Sequence, residues 1–332
     1  MDNLGAPIIF IQYGGAAYLA KTLRAAVSSN FGKRIILLGD EKNRRMVPRG
    51  VDFFNFEAFS GSKKEQAFQE SFQVIQGERH RYNKENGVEF WLKFVFRRWF
   101  LIEAFLEREG LDSFWTFDSD TILTANLEGT EAHFRGVDCT VQCMGKCLNG
   151  WVGSRNLVGR YTDSIIAQFQ DVPYLEKQKK RLKCSPTLSF NEMDAFAEFR
   201  RRESVKTWHA ELPIEGEMFD DALAFTEGFE SAPQKVLGKT AIKRLWTDGI
   251  NIYAKHLATG TFVRLLTCNM SWMPDFMWRR IMAVAKGGGN GLRVASCGSQ
   301  MSKLVEISTV EPVIDRLFRK TKMLIWKVRR GL

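Results

Sequence analysis

Two short apolar runs near the N-terminus place the strongest constraint on the fold. Residues 8–11 are entirely apolar, and residues 34–40 contain a second apolar run that ends in Gly39 and Asp40. Short, uniformly apolar runs are typical of buried strands. The stretch between them, residues 16–28, predicts a helix. The first forty residues therefore predict a β-α-β unit, and such units build parallel sheets.

Small and polar residues follow both predicted strands. In open parallel sheets, ligands bind beyond the carboxyl ends of the strands. A short loop with two glycines lets the backbone approach a nucleotide, although a plain tight turn also explains the glycines. The candidates for nucleotide contact are Gln12, Gly14, Gly15, Asp40 and Asn43.

Residues 114–120 form a third, aromatic-rich run that ends in Asp118, Ser119 and Asp120. We expect a buried strand that presents two carboxylates at its exposed end. Because strand side chains alternate, Asp118 and Asp120 can project the same way and share one Mn²⁺ or Mg²⁺. Such a cation binds carboxylates together with substrate phosphates, so the pair is a candidate metal site for a diphosphate. A solvated turn after the strand is the alternative.

Residues 89–109 predict a long, largely buried helix that ends before Gly110. Arg97 and Arg98 lie inside it. A buried guanidinium needs an anion, which is either a nearby carboxylate or a phosphate. Arg98 is therefore a candidate phosphate ligand, with a structural salt bridge as the alternative.

The next candidate group lies before a predicted helix in the second half. Ser189 and Glu192 have the spacing of a capping box, which makes Glu192 a helix-capping residue. Asp194 falls in the first helical turn, where the helix dipole favours a charged carboxylate. That position suits a general base and also suits simple capping.

Several further elements follow from the local pattern. Residues 138–143 predict a strand, residues 149–154 a turn that enters another strand, and residues 157–170 a helix. Residues 244–253 predict a hairpin around Asp248-Gly249. The three cysteines spaced by four, at positions 139, 143 and 147, fit no zinc template, so we expect reduced thiols.

The bulk properties favour a cytoplasmic protein with an anionic partner. No apolar run approaches the roughly 20 residues that span a bilayer, and the N-terminus has no signal-peptide pattern. The net charge is +10, but no zinc-finger, homeodomain or RNA-recognition signature occurs, so we expect no nucleic-acid partner. Residues 315–330 predict a basic amphipathic helix that contacts the anionic inner membrane face or covers part of the core.

Taken in order, these features resemble the GT-A glycosyltransferases, the nucleotide-diphospho-sugar transferases with an Asp-x-Asp metal site. The resemblance covers residues 7–160 and thins beyond them. It implies an α/β fold, a GT-A (Rossmann-like) mostly parallel sheet flanked by helices. One domain would cover residues 1–285, with a nucleotide-binding part at about 7–135 and an acceptor-side part at about 136–285. A Gly-rich joint, a short strand and the basic tail would occupy residues 286–332.

The resemblance also implies roles for single residues. Asp118 and Asp120 would contact the metal and the sugar nucleotide, and Arg98 the diphosphate. Asp194 would be the general base. The nucleoside would meet Gln12, Asp40 and Asn43, and the donor sugar would lie beside Asn149 and Gly150. Residues 267–272 contain Asn269 and no histidine where many members carry a further metal ligand, so the third ligand is unassigned.

The expected function is metal-dependent transfer of a sugar from a nucleotide sugar, specifically a UDP-sugar, by a hexosyltransferase. The acceptor would be a hydroxyl of a glycan, a lipid-linked molecule or a polysaccharide in cell-surface glycan synthesis. Two alternatives stay open: a catalytically idle nucleotide- or glycan-binding domain with the same fold, and a basic membrane-docking protein.

Overall fold

The structure is a computed structural model that describes residues 5–80, 87–287, 304–312 and 315–316. The chain divides into two compact units that interleave along the sequence. The first unit contains the described residues of 1–16, 32–119 and 128–210, and the second contains those of 17–31, 120–127 and 211–332. These units are defined by packing. The predicted division into a nucleotide-binding part and an acceptor-side part, near residue 135, concerns function and stays a prediction.

The strands are β1 (Ile8–Gln12), β2 (Ile35–Gly39), β3 (Val51–Asn55), β4 (Phe114–Thr116), β5 (Thr121–Leu123), β6 (Cys139–Gln142), β7 (Cys147–Val152), β8 (Thr207–His209), β9 (Glu217–Phe219), β10 (Leu245–Thr247), β11 (Ile252–Lys255), β12 (Phe262–Asn269) and β13 (Val305–Glu306). The α-helices are α1 (Leu19–Ser29), α2 (Lys63–Ser71), α3 (Gly87–Glu109), α4 (Arg155–Gln170), α5 (Val172–Cys184), α6 (Glu192–Glu203) and α7 (Asp275–Gly287).

The described residues of the first unit form a seven-stranded sheet in the order β3-β2-β1-β4-β7-β6-β8. The pairs β3-β2, β2-β1, β1-β4 and β6-β8 are parallel, whereas β7 runs antiparallel to both β4 and β6. Uniformly apolar strands are expected where a sheet is covered on both faces, and β1 and β2 fit this rule. The predicted α/β fold with a mostly parallel, helix-flanked sheet is confirmed.

Helix α3 supplies much of the core of the first unit. Its Phe96, Trp99 and Phe100 are almost completely buried and belong to the same apolar cluster as Ile9 and Ile36 of the sheet. Helices α2, α4 and α6 add further buried side chains to this cluster. Burying such large side chains stabilises the fold by roughly 1.5–3 kcal/mol for each, before conformational entropy is subtracted.

The second unit has its own sheet, in the order β13-β10-β11-β12-β5, with β9 also paired to β12. Its neighbours on the main path are antiparallel, and β9 is parallel to β12. Helices α1 and α7 pack against β5 and against each other. The predicted hairpin is confirmed, because β10 and β11 pair on either side of Asp248 and Gly249.

Three local predictions were wrong. The strand expected at residues 114–120 ends at Thr116, and β5 starts at Thr121 in the other sheet. Asp118 and Asp120 therefore lie in the intervening loop, and the alternation of strand side chains does not apply to them. Residues 149–152 belong to β7 and are not a turn. The expected capping box is also absent, as described with the site below.

Three other predictions have different outcomes. The described cysteines, at positions 139, 143, 147, 184 and 268, form no disulfide bond with one another. No helix in the described part of the chain is long and apolar enough to cross a bilayer. The basic tail and most of the Gly-rich joint lie outside the described residues, so both stay predictions.

Candidate functional site

The first sheet reverses its winding direction between β1 and β4. The chain runs from β1 outward to β2 and β3, and then returns to place β4 on the opposite side of β1. Ligands of open α/β sheets bind outside the carboxyl ends of the strands at such a switch point. The segments that follow β1 and β4 are therefore the first place to search for a site. They contain Gln12 and Gly14 on one side and Asp118 on the other.

The loop after β1 is connected to the loop after β2 by a compact set of hydrogen bonds. The Gly14 N–H donates to Asp40 Oδ2 over 2.7 Å, and Asn43 Nδ2 donates to the Gly14 carbonyl over 2.8 Å. The Asn43 N–H donates to Asp40 Oδ1 over 3.1 Å, and the Asp40 N–H donates to Asn43 Oδ1 over 3.0 Å. Asn43 is fully buried. Three residues predicted to contact the nucleotide, Gly14, Asp40 and Asn43, are thus connected by direct hydrogen bonds.

Gly14 provides open backbone in this cluster. Its φ is +70°, a left-handed conformation that glycine adopts without steric cost, and a Cβ at this position would meet no atom within 4 Å. The space above Gly14 is therefore available to a ligand. A Cβ on Gly15 would meet only the Met46 side chain, at 4.0 Å.

Gln12 joins the β1 end to the β4 loop. Its Oε1 accepts a hydrogen bond from the Ser119 hydroxyl, and its Nε2 donates to the Tyr13 carbonyl over 2.6 Å. Gln12 is therefore held in place by both neighbouring loops. The Ser119–Gln12 hydrogen bond therefore connects the two segments at the switch point.

Asp118 is held by Arg98. Arg98 Nη1 donates to Asp118 Oδ1 over 2.9 Å, and Nη2 donates to Glu192 Oε1 over 3.2 Å. The Asp118 side chain is 41% exposed, whereas those of Arg98 and Glu192 are 15% and 13% exposed. One arginine thus bridges a half-exposed carboxylate and a largely buried one.

Burial and the charges of this trio together shift the pKa values of Glu192 and Arg98. Burial raises the pKa of the Glu192 carboxyl to about 7; the Arg98 charge opposes this shift, and the Asp118 charge adds to it. Burial by itself would lower the pKa of Arg98, but the charges of Asp118 and Glu192 raise it above its usual value. Arg98 therefore stays charged, and Glu192 changes charge near neutral pH.

A small cavity lies directly beside this trio. It is lined by Arg98, Trp99, Asp118, Asn149, Ile11, Ile102, Thr116, Phe117 and Leu148. Three residues predicted for the site, Arg98, Asp118 and Asn149, therefore line the same cavity. Its other walls are mainly apolar, which strengthens electrostatic interactions inside it.

Asn149 and Gly150 occupy β7, next to β4. Asn149 Nδ2 donates to Gln142 Oε1 over 2.5 Å, and Asn149 is 4% exposed. Gly150 has a φ of +92°, and a Cβ there would lie 2.4 Å from Thr140 Oγ1. Gly150 is therefore required by local packing, in addition to any contact with a sugar.

Arg97, the neighbour of Arg98, pairs with protein carboxylates. Its Nε donates to Glu65 over 2.5 Å, and its Nη2 donates to Glu57 over 2.9 Å. Glu65 is fully buried. The structural salt bridge is the alternative that holds for Arg97.

Asp120 belongs to the second unit. Its carbonyl oxygen accepts from the Met270 N–H over 2.9 Å, and its Oδ2 accepts from the Ser271 hydroxyl over 2.9 Å. Asn269 Oδ1 accepts from the Ser271 N–H over 3.0 Å. Among the described residues, no group of three or more histidine, cysteine, aspartate or glutamate side chains could hold a metal ion. The third metal ligand therefore stays unassigned.

The start of α6 differs from the prediction. The helix cap is Asn191, whose Oδ1 accepts from the N–H groups of Met193 and Asp194 over 3.0 and 3.3 Å. Asn191 is a strong cap because its short side chain reaches these amides. Glu192 is free of the capping role assigned to it, and it turns to Arg98 instead.

Asp194, the predicted base, forms a two-pronged ion pair with Arg181. The two guanidinium nitrogens donate to its two oxygens over 3.2 and 2.6 Å. Glu192 is the carboxylate that meets the Arg98 and Asp118 cluster, and the sequence analysis missed this role. The sequence did contain one signal for this role. Arg98 lies inside an apolar helix, and a buried arginine needs carboxylate partners, of which Glu192 is one.

The chain was compared with protein-family models, curated protein sequences and solved structures. No protein-family model matches the chain, and no curated protein sequence matches it. Among solved structures, the chain is similar to PaToxG Glycosyltransferase, with a TM-score of 0.37, 12% identity, and 60% of this chain and 68% of that one covered. It is also similar to mouse xyloside xylosyltransferase 1 in its apo form, with a TM-score of 0.40, 9% identity, and 61% and 84% covered.

Proposed function

We propose that this protein is a GT-A-type glycosyltransferase that moves a hexose from a UDP-sugar to an acceptor hydroxyl. The acceptor would be a glycan, a lipid-linked molecule or a polysaccharide. The proposal combines the resemblance of the sequence motifs with the site in the first unit. Its main support is the placement of Asp118, Arg98 and the Asp40–Asn43–Gly14 cluster around one switch point of a parallel sheet.

The nucleoside would bind at the Asp40 and Asn43 cluster. Gly14 offers open backbone there, since even a Cβ at this position would meet no atom within 4 Å, and this would let the ligand approach the main chain. The network that fixes Asp40 and Asn43 prepares the loop before the ligand arrives, which lowers the entropy cost of binding. Gln12 would extend this surface toward the diphosphate.

The residues at Asp118 fit a hard divalent cation. Carboxylate oxygens are the ligands that Mn²⁺ and Mg²⁺ accept, and Asp118 is half-exposed with only Oδ1 held by Arg98. Two carboxylates share the single Arg98 charge, so the trio is negative when Glu192 is ionised. When bound, the cation would neutralise charge on the leaving diphosphate. Asp120 is the second proposed ligand, on the sequence evidence.

We assign a separate role in the reaction to each remaining residue of the proposed site. Arg98 would orient Asp118 and stabilise diphosphate charge through its remaining donors. Asn149 and Gly150 would border the donor sugar beside the cavity. Asp194 is the proposed general base, and each of its two oxygens accepts one hydrogen bond from Arg181. A cytoplasmic location, with residues 315–330 against the inner membrane face, belongs to the same proposal.

The decisive experiment incubates the full chain with Mn²⁺ and a panel of UDP-sugars, and measures released UDP by mass spectrometry. Asp118→Asn should lower UDP release by about 100-fold or more, the scale of losing one electrostatic group at a reacting centre. Asp112→Asn is the control, because Asp112 lies before β4 and its side chain accepts from the Arg155 N–H over 3.2 Å. Circular dichroism should show the same fold for both variants.

Two outcomes would contradict the proposal. Unchanged UDP release by Asp118→Asn would remove Asp118 from the site. Tight UDP binding by calorimetry with no turnover of any UDP-sugar would favour the idle binding domain.

A further inference from the structure

One turn in the second unit combines a strained backbone with an exposed aromatic side chain. Residues 270–273 form a turn that is closed by a hydrogen bond from the Met273 N–H to the Met270 carbonyl over 2.9 Å. Trp272 is the third residue of this turn and has a φ of +62°. Turns with a positive φ at this position use glycine or asparagine. A bulky residue there is a genuine outlier.

The surrounding structure holds the turn in this conformation. Met270 is 1% exposed and Met273 is 8% exposed, so both ends of the turn are anchored in the core of the second unit. The Met270 N–H donates to the Asp120 carbonyl, and the Ser271 hydroxyl donates to Asp120 Oδ2, each over 2.9 Å. Backbone strain persists only where neighbouring contacts over-determine the geometry, and it concentrates at functional sites.

In this backbone conformation, the Trp272 side chain is exposed to solvent. Trp272 is 73% exposed, and the Phe225 ring, 44% exposed, lies beside it with ring centroids 6.3 Å apart. An exposed tryptophan gains nothing from burial, so core packing does not explain its presence at a position that suits glycine. The neighbouring Ser271 bonds Asp120, so this surface is adjacent in the second unit to the second acid of the Asp-x-Asp motif.

We propose that Trp272 and Phe225 form a stacking platform for a pyranose ring of the acceptor. The inference depends on the proposed function, in which Asp120 of the same unit is a proposed ligand of the cation that holds the donor. The axial C–H groups of a pyranose make one ring face apolar and slightly positive, which complements the negative face of an aromatic ring. The hydroxyl groups at the pyranose edge stay free for Ser271 and for water.

The first test measures saturation-transfer NMR on the full chain with cellobiose, maltose and lactose as probes. Saturation should pass to the axial protons of at least one disaccharide. Trp272→Gly should abolish the transfer, and it should leave the melting temperature unchanged or higher because glycine accepts the left-handed backbone. Trp208→Ala is the matched control, since Trp208 is 39% exposed on β8 of the first unit, and it should keep the signal.

The outcomes separate this inference from the proposed function, because turnover of UDP-sugars by the unaltered chain is measured independently. Turnover without a difference in disaccharide binding between the unaltered chain and Trp272→Gly overturns the platform alone. Binding that depends on Trp272, without turnover of any UDP-sugar, overturns glycosyl transfer alone. If neither protein binds a disaccharide, the platform has no ligand and the inference is wrong. If Trp272→Gly loses the fold, Trp272 has a structural role, which also contradicts the platform.

Discussion

Arg98 donates through Nη1 to Oδ1 of Asp118 over 2.9 Å and thereby fixes the first acid of the Asp-x-Asp motif to the middle of α3. The Asp118 side chain is 41% exposed, and this bond ties it to a largely buried arginine. Glu192 completes the arrangement by holding the other arm of the guanidinium. The trio connects α3, the β4 loop and α6, and its stability and its charge state can both be measured.

Removing the arginine should destabilise the first unit. In Arg98→Met, Glu192 would stay buried without its partner, and the free energy of unfolding should fall by about 3 kcal/mol. The double variant Arg98→Met with Glu192→Met removes both buried charges and should recover most of this loss. Urea unfolding curves give both values. A double variant as unstable as the single one would show that Glu192 is not the group left unpaired.

Glu192 should make stability depend on pH. Its folded-state pKa of about 7 lies above the ordinary value of 4.5, so folding favours the protonated form. Its contribution is fully present below pH 4.5 and is lost as the pH rises through 7. Relative to Glu192→Gln, the unaltered chain should lose about 3 kcal/mol of unfolding free energy between pH 4.5 and 7. Parallel urea titrations measure this difference, and a constant gap across that range would contradict it.

Two glycines of the first unit should respond differently to alanine. Gly150→Ala combines a left-handed backbone with a Cβ that would lie 2.4 Å from Thr140 Oγ1, so it should cost about 3 kcal/mol or more. Gly14→Ala meets open space, so only the backbone term of about 1–2 kcal/mol applies. Thermal or urea unfolding compares them. Equal losses would mean that the β7 backbone shifts to accommodate the new methyl group.

Asn43 should be required both for stability and for nucleotide binding. In Asn43→Ala, the Asp40 N–H loses its acceptor, and the Gly14 carbonyl keeps only the hydrogen bond from Gln12 Nε2 over 3.2 Å, which should cost about 2 kcal/mol of unfolding free energy. The Kd for UDP should rise about tenfold, because the loop around Gly14 is no longer pre-organised. Calorimetry with UDP measures the affinity.

The control for this prediction is Asn55→Ala. Asn55 caps a short 3₁₀-helix by accepting from the Glu57 N–H over 3.0 Å, outside the switch point. Asn55→Ala should lose about 1 kcal/mol of stability, with no change in UDP affinity. An equal loss of UDP affinity in both variants would attribute the effect to general destabilisation.

The sequence by itself determined the elements whose information is local. Uniform apolar runs specified β1 and β2, and the long apolar stretch that ends before Gly110 specified α3. Hydrophobic periodicity is a property of neighbouring residues, so it can be read without coordinates. Because these patterns located β1, β2 and the start of β4, they also located the polar residues that follow each strand. Those residues make up the candidate site.

Only the tertiary structure decided how the charged side chains pair. Arg98 meets Asp118, 20 residues away, and Glu192, 94 residues away, and no local rule selects those carboxylates from the others in the chain. The tertiary structure also ended β4 at Thr116, because Thr121 starts a strand that pairs with β12. Strand length and ion pairing depend on which distant segments pack together, and periodicity within one segment does not carry that information.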